Sequence, residues 1–393
     1  MCPNMCFAIA MCINREFNES LIADTVQKIS RSHPFIRALL SHEEKDNRFF
    51  YDVKKTSQAQ LLLYHDNVEG IDDPEVMAEY ERLTARDFDL YKEGMLKISA
   101  WPSGVKTVVL MTIHHLLADG RGALELAREF ADYYVLTKEP AYVREKLISS
   151  TAELPLDSNL PLFSRMLVNQ VNRMWEKEKR QLSYRDYHRF ADEFLKDDIV
   201  KHELSAVEKS ELSEIVNRCR EEKVTVNDYL LAKLFIEAKT ERIVMAADIR
   251  DCLKCYNSGA MGNYSTAFSV KLKNAGNDVY KAAGKVHEAV RRIYEKPSAF
   301  YLLLQCYAAL NPGLLDGAMM ASRGRFESKA AELTGRMFFQ LDKSEGYSVT
   351  NLGKTESVTI EDACFIPPAS PAMKKTLGVL TVNGRMRICT SER

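Results

Sequence analysis

The run Val108-Val109-Leu110-Met111 is apolar on both faces of a strand and leads through Thr112-Ile113 into His114-His115-Leu116-Leu117-Ala118-Asp119-Gly120. This segment limits the fold more than any other. A strand apolar on both sides belongs inside a sheet that is covered on both faces. After Asp119 the pattern turns helical, with Ala123, Leu124, Ala127, Phe130, Ala131 and Tyr134 at i, i+3/i+4 spacing. The two histidines and the aspartate therefore sit on a short loop between a buried strand and a helix start. Loops held by rigid elements are where catalytic residues tend to be placed.

On either side of this loop the chain alternates strand and helix patterns. A strand is read near residues 5–13, and Asn18 caps a helix that His33-Pro34 ends. Strands are read at 47–53 and 60–65, a helix opening at Asp72-Asp73-Pro74, and strands over 96–101 and 105–113. Prolines at 140, 155 and 161 and the stretch Trp175-Glu176-Lys177-Glu178-Lys179-Arg180 suggest a crossover near 140–200, its charges a solvated face. Beyond it lie a strand near 199–204, a helix from Ser205 to about Cys219, and a helix capped at Thr225 or Asn227. Strands over 243–249 and 264–272, a helix over 279–295, a poorly bounded helical region over 296–335, and a strand-turn-strand around Asn383-Gly384 complete the pattern. A chain of 393 residues is long enough for two domains, divided as a lobe over 1–170 and a lobe over 171–393. The fold class is α/β, with helices and strands mixed in both lobes.

Several function classes are disfavoured by composition. A net charge of -1 gives no long-range attraction to nucleic acid. No apolar run approaches the ~20 residues that span a bilayer, and Phe7–Ile13 lacks the basic start and cleavage site of a secretory signal. Nine scattered cysteines do not form a disulfide framework, which fits a cytoplasmic location. Cys252 and Cys255 form a CxxC with no second ligand pair at zinc-site spacing, so no metal is expected. The histidines at 33, 42, 65, 188, 202 and 287 show no helical metal-ligand pairing and read as surface or capping groups.

Acyl transfer from a thioester to a hydroxyl or amine needs a base for the acceptor proton, oxyanion donors and exclusion of water. A neutral histidine suits the first task. Adjacent side chains at a strand end face opposite ways, so one histidine points at substrate and the other into the protein. Asp119 can fix the loop through an arginine or backbone amides, and Gly120 lets the chain turn into the helix. The plainer alternative makes His114-His115 a buried strand end and Asp119 a helix N-cap.

His114-His115-x-x-x-Asp119-Gly120 resembles the signature of the chloramphenicol-acetyltransferase-like acyltransferase superfamily, which includes condensation domains, wax ester synthases and polyketide-associated acyltransferases. The resemblance extends along most of the chain. His33-Pro34-Phe35-Ile36-Arg37 looks like the family's HPxLR segment, and Phe88-Asp89-Leu90 with Gly94-Met95-Leu96 looks like the approach to the motif strand. Thr225-Val226-Asn227-Asp228 with Leu230-Leu231-Ala232, Asp248-Ile249-Arg250 with Gly262-Asn263, and Ser348–Gly353 are similar to second-lobe segments. The loop typical of the plant branch is absent.

The resemblance implies two chloramphenicol-acetyltransferase-like lobes with a substrate tunnel between them. It implies His115 as general base, His114 as structural histidine, and Asp119 paired with an arginine, for which Arg250 is the candidate; the alternative for Arg250 is a solvated charge. Asn263, Thr350 and Asn351 are candidates for substrate or oxyanion binding, or else form turns. The expected function is transfer from acyl-CoA or an acyl-phosphopantetheine carrier protein, with no bound cofactor, to a small-molecule alcohol or amine. A free-standing amide-forming condensation enzyme and a catalytically silent binding module are the alternatives. No adenylation or carrier segment is read, so a free-standing enzyme is expected. Two lobes in one chain imply a monomer.

Overall fold

The computed structural model describes residues 5–43, 48–148, 150–180, 182–197, 199–339 and 346–393. Two mixed helix-and-sheet layers are built around two large sheets, in agreement with the α/β expectation. The first sheet has the strand order Ile360–Ile366, Cys6–Ile13, Lys106–His114, Leu96–Ser103, Gln60–Leu63. Its central pair is antiparallel, with Cys6 opposite His114 and Ile13 opposite Thr107. Phe7, Ile9, Met11, Val109, Met111 and Ile113 face helices Glu19–Ser32 and Gly120–Leu136, while Ala8, Ala10, Val108 and Leu110 join Val76 and Tyr80 of helix Pro74–Thr84 on the other side. Both faces of the motif strand are therefore covered, which is why it carries no polar face.

The second sheet runs Lys201–Val207, Arg385–Glu392, Lys375–Val382, Tyr347–Thr355, Arg242–Asp248, Ser265–Lys271. Helices Val226–Glu237 and Val279–Tyr294 contribute to its core, with Leu231, Phe235, Ala282 and Val286 against Ile243, Met245 and Val270. Local capping starts these helices: Thr225 and Asp228 form a capping box, and Asp278 accepts from Tyr280 and Lys281 N–H groups. The Asn383-Gly384 turn has positive φ at both residues, 51° and 84°, the geometry that favours a tight hairpin.

Two sequence expectations, the helix start at Ser205 and the division at residue 170, are corrected. The helix expected from Ser205 begins at Lys209, because Ser205–Val207 pair with Ile388–Met386 and extend the strand. Trp175 is buried against Leu314 and Ala331, while the charges that follow it are the part read as a solvated face. The region 296–335 is helical as expected, with its borders now placed at Pro297–Phe300, Leu302–Ala309, Pro312–Ser322 and Lys329–Thr334; several of their apolar residues form core around Trp175. Strand Ile360–Ile366, with no counterpart in the sequence reading, leaves the second-sheet segment between Thr355 and Lys375 to pair with Cys6–Ile13. A cut at residue 170 therefore does not separate the two sheets.

Of the six other histidines His33 is buried rather than on the surface, and His202 is half-buried. His202 lies against Tyr80, and burial depresses its pKa to about 4. His33 is fully buried with Nε2 2.6 Å from Glu129 Oε2 and Nδ1 3.5 Å from Glu145 Oε1. Burial opposes its charge, but the two carboxylates outweigh burial and raise the pKa to about 9. A folded-state pKa above the unfolded value of about 6.5 adds stability that is complete below that pH and is lost as pH rises through 9. Urea unfolding of the wild type is expected to lose up to ~3 kcal/mol more than His33→Asn between pH 6.5 and 9. Parallel curves for the two proteins would remove the charged pairing.

Candidate active site

The motif strand delivers His114 and His115 to the end of the first sheet, and their side chains diverge. His114 is 4% exposed, beside Phe88, and its Nδ1 accepts the Leu116 N–H at 3.2 Å. An accepting Nδ1 leaves the proton on Nε2. Burial, with the adjacent His115 ring, lowers the His114 pKa to about 3, so the ring is a neutral structural element of the loop.

His115 is partly exposed, with its ring edge-on to Phe7 at 5.3 Å between centroids. Its main-chain N–H donates to Met5 C=O at 3.1 Å. Nδ1 is buried without a hydrogen-bond partner. Burial lowers the His115 pKa below its ordinary value, although the Asp119 charge pulls the other way. The ring is thus neutral near pH 7.

Asp119 is 3% exposed and uses both carboxylate oxygens. Oδ1 accepts the Gly122 N–H at 2.9 Å, capping the helix, and also accepts from Arg250 Nη2 at 2.7 Å. Oδ2 accepts the Tyr264 N–H at 2.8 Å, while the Asp119 N–H donates to Gly262 C=O at 3.1 Å. The capping and the arginine-pairing readings of Asp119 thus coexist in one carboxylate. Arg250 follows strand Arg242–Asp248, has a side chain 10% exposed, also pairs with Asp248, and lies over the rings of Tyr256 and Tyr264. These contacts fasten the motif loop to the second lobe. Gly262 has φ 148°, and a Cβ there would stand 2.9 Å from the Tyr264 ring, so the chain needs glycine beside this clamp.

Gly120 is the first residue of its helix, and close packing sets its constraint: an added Cβ would stand 2.6 Å from Leu352 Cδ2 of strand Tyr347–Thr355. Gly120→Ala is expected to cost about 1–3 kcal/mol in urea unfolding, and less in a Leu352→Ala background. Equal costs in both backgrounds would remove the contact as the cause. Arg121, not singled out from the sequence, donates to Leu352 C=O at 3.0 Å and adds a second tie between the lobes; its only sequence signal was adjacency to the motif.

The other sequence candidates carry local bonds. Asn263 is exposed, and its Oδ1 accepts from Ser265 N–H and Oγ. Asn351 Oδ1 accepts the Gly353 N–H, and its Nδ2 lies 3.5 Å from Asn227 Oδ1. Thr350 is partly buried on the same strand, two residues before Leu352. A cavity of about 420 Å³ bordered by Leu230, Tyr347 and Ile388, and one of about 430 Å³ bordered by Asp87, Lys92 and His188, do not include His115 in their linings. Among the described residues no group of His, Cys, Asp and Glu is arranged to hold a metal ion, and no helix is long and apolar enough to cross a membrane.

Residues 5–150 match the family model of the Condensation domain. The first condensation domain of the calcium-dependent antibiotic synthetase, in complex with substrate analogue 2a, is similar over 99% of this chain and 86% of its own, at 12% identity and TM-score 0.60. The chain has the condensation-domain fold. The epimerization domain from the third module of tyrocidine synthetase B gives 16% identity and TM-score 0.56 over 99% of this chain and 86% of that one. A variant of the starter condensation domain of rhizomide synthetase RzmA, in complex with C8-CoA and Leu-SNAC, gives 11% and 0.56 over 100% and 84%. No curated protein matches the sequence. The match covers the first part of the chain, and the shared fold is the one that the motif resemblance implied. Because an epimerization domain shares the fold, the fold alone does not fix the reaction, and the site must carry the functional argument.

Proposed function

We propose that this condensation-like chain transfers an acyl group from a thioester, acyl-CoA or an acyl-phosphopantetheine carrier protein, to an alcohol or amine, with His115 as general base. The observation that carries the reading is the state of one ring. His115 is neutral and partly exposed, and neither ring nitrogen has a hydrogen-bond partner among the described residues, which leaves Nε2 available to a substrate. Nε2 takes the acceptor's proton as the acceptor oxygen or nitrogen bonds to the thioester carbonyl carbon. The C–S bond then breaks, and the thiolate leaves with the proton that Nε2 returns. Asn263, Thr350 and Asn351 are the candidate donors to the oxyanion or substrate, in a passage between the lobes, and the acting unit is taken as one chain.

General-base help of this kind is worth about 3–5 kcal/mol of barrier, and positioning must supply the rest. A thioester donor draws support from the structural neighbour that binds C8-CoA and Leu-SNAC. The test incubates the protein with labelled acyl-CoA of several chain lengths, and separately with acyl-carrier protein, each with panels of alcohols and amines. Labelled ester or amide from one donor is the expected result. Stable capture of a carrier protein with no product from any combination would replace the transferase with a binding module.

A further inference from the structure

The main-chain groups of the loop after His114 can be accounted for almost one by one, and one of them depends on a residue far from the motif. His115 N–H goes to Met5 C=O, Leu116 N–H to the His114 ring, Leu117 N–H to His114 C=O, and Asp119 N–H to Gly262 C=O. The carbonyl of Leu116, immediately after His115, accepts from the hydroxyl of Tyr51 at 2.8 Å. Tyr51 comes from the small hairpin Ala38–Glu43 and Arg48–Val53, which belongs to neither large sheet.

That hairpin is mounted on the turn His33-Pro34-Phe35-Ile36-Arg37. The Phe35 ring meets Tyr51 edge-on at 4.7 Å between centroids. Phe35 N–H donates to Glu145 Oε2 at 2.6 Å, and Glu145 is one of the two carboxylates facing His33. Arg37 holds the other end, with Nη1 on Lys54 C=O at 2.9 Å, Nε on Ser30 C=O at 3.0 Å, and its own carbonyl accepting the Lys54 N–H. An ordered series of contacts thus leads from the buried His33 pair through Phe35 to Tyr51 and on to the loop that carries His115.

We infer that Tyr51 is a positioning residue for His115, and that the His33–Arg37 turn serves as its mount. The inference rests on the proposed general-base role of His115. The hydroxyl fixes the Leu116 peptide, and through it the direction in which the preceding imidazole leaves the chain. A base displaced by about 1 Å loses on the order of 10²-fold in rate, whereas binding surfaces contributed by other elements are untouched.

The test compares wild type with Tyr51→Phe, which keeps the ring and removes only the hydroxyl. With the acyl-CoA that turns over fastest, kcat is expected to fall about 10- to 100-fold with KM changed by less than about threefold. Independently of turnover, amide hydrogen exchange at Leu117 is expected to speed up about tenfold relative to Val109 in the motif strand. Arg37→Met, which loosens the mount, should move the same exchange ratio in the same direction. An unchanged ratio in Tyr51→Phe overturns the inference, as does equal acceleration at Leu117 and Val109. If wild type turns over no acyl-CoA or acyl-carrier protein, the proposed reaction fails, while the exchange ratio still decides whether Tyr51 braces the loop.

Discussion

Replacing His115 with alanine is expected to lower thioester turnover by roughly 10²–10⁴-fold and leave the thermal midpoint nearly unchanged. The ring's bonds explain the split. Nδ1 bonds to no other residue, Nε2 has no partner among the described residues, and the aromatic contact to Phe7 is the chief packing at stake. The loop's main-chain bonds to Met5, His114, Tyr51 and Gly262 do not involve the His115 ring and survive its truncation. In the wild type, kcat/KM should stay on its plateau below pH 6.5 before falling, because burial depresses the pKa of this base. Turnover by His115→Ala within threefold of wild type would discard the base assignment, and a falling limb above pH 6.5 would contradict the depressed pKa.

Replacing Asp119 with alanine should produce the opposite pattern, a loss of about 3–5 kcal/mol of stability together with lost turnover. Its carboxylate serves the Gly122 and Tyr264 N–H groups and the Arg250 guanidinium. Removing it leaves Arg250, 10% exposed, with Asp248 as its remaining carboxylate, and leaves the Tyr264 amide without an acceptor. The double variant Asp119→Ala/Arg250→Met should be less destabilised than the sum of the two single changes, because no cation then remains buried beside a missing anion. Urea unfolding of the four proteins measures the coupling. A strictly additive cycle would mean that the aspartate acts as a helix cap alone. Between them, His115→Ala and Asp119→Ala separate proton transfer from loop geometry.

The sequence was most legible where the cause of a structure is local. Asn18, Asp73 and Asp119 cap helices because each side chain reaches an N–H two or three residues ahead, a distance that residue spacing encodes directly. The buried motif strand and the Asn383-Gly384 turn are of the same kind. Reading failed where two local patterns competed or where the cause was remote. Ser205–Val207 read as a helix start, yet their hydrogen-bond partners are Ile388–Met386, on the far side of the chain. Strand Ile360–Ile366 has an ordinary apolar pattern, and nothing in that pattern says that it joins the first sheet.

The site divides along the same line. Residue spacing by itself put two histidines, an aspartate and a glycine on one loop between a buried strand and a helix, since strand and helix periods are properties of neighbouring residues. Only the tertiary structure decided which imidazole faces inward, that Arg250 closes on Asp119 from 131 residues away, and that Tyr51 meets the Leu116 carbonyl from 65 residues away. It also made His33 a buried cation, through carboxylates 96 and 112 residues along the chain. The reason is that burial, and with it the charge a histidine carries, depends on which surfaces exclude water together, and that is a property of the assembled lobes.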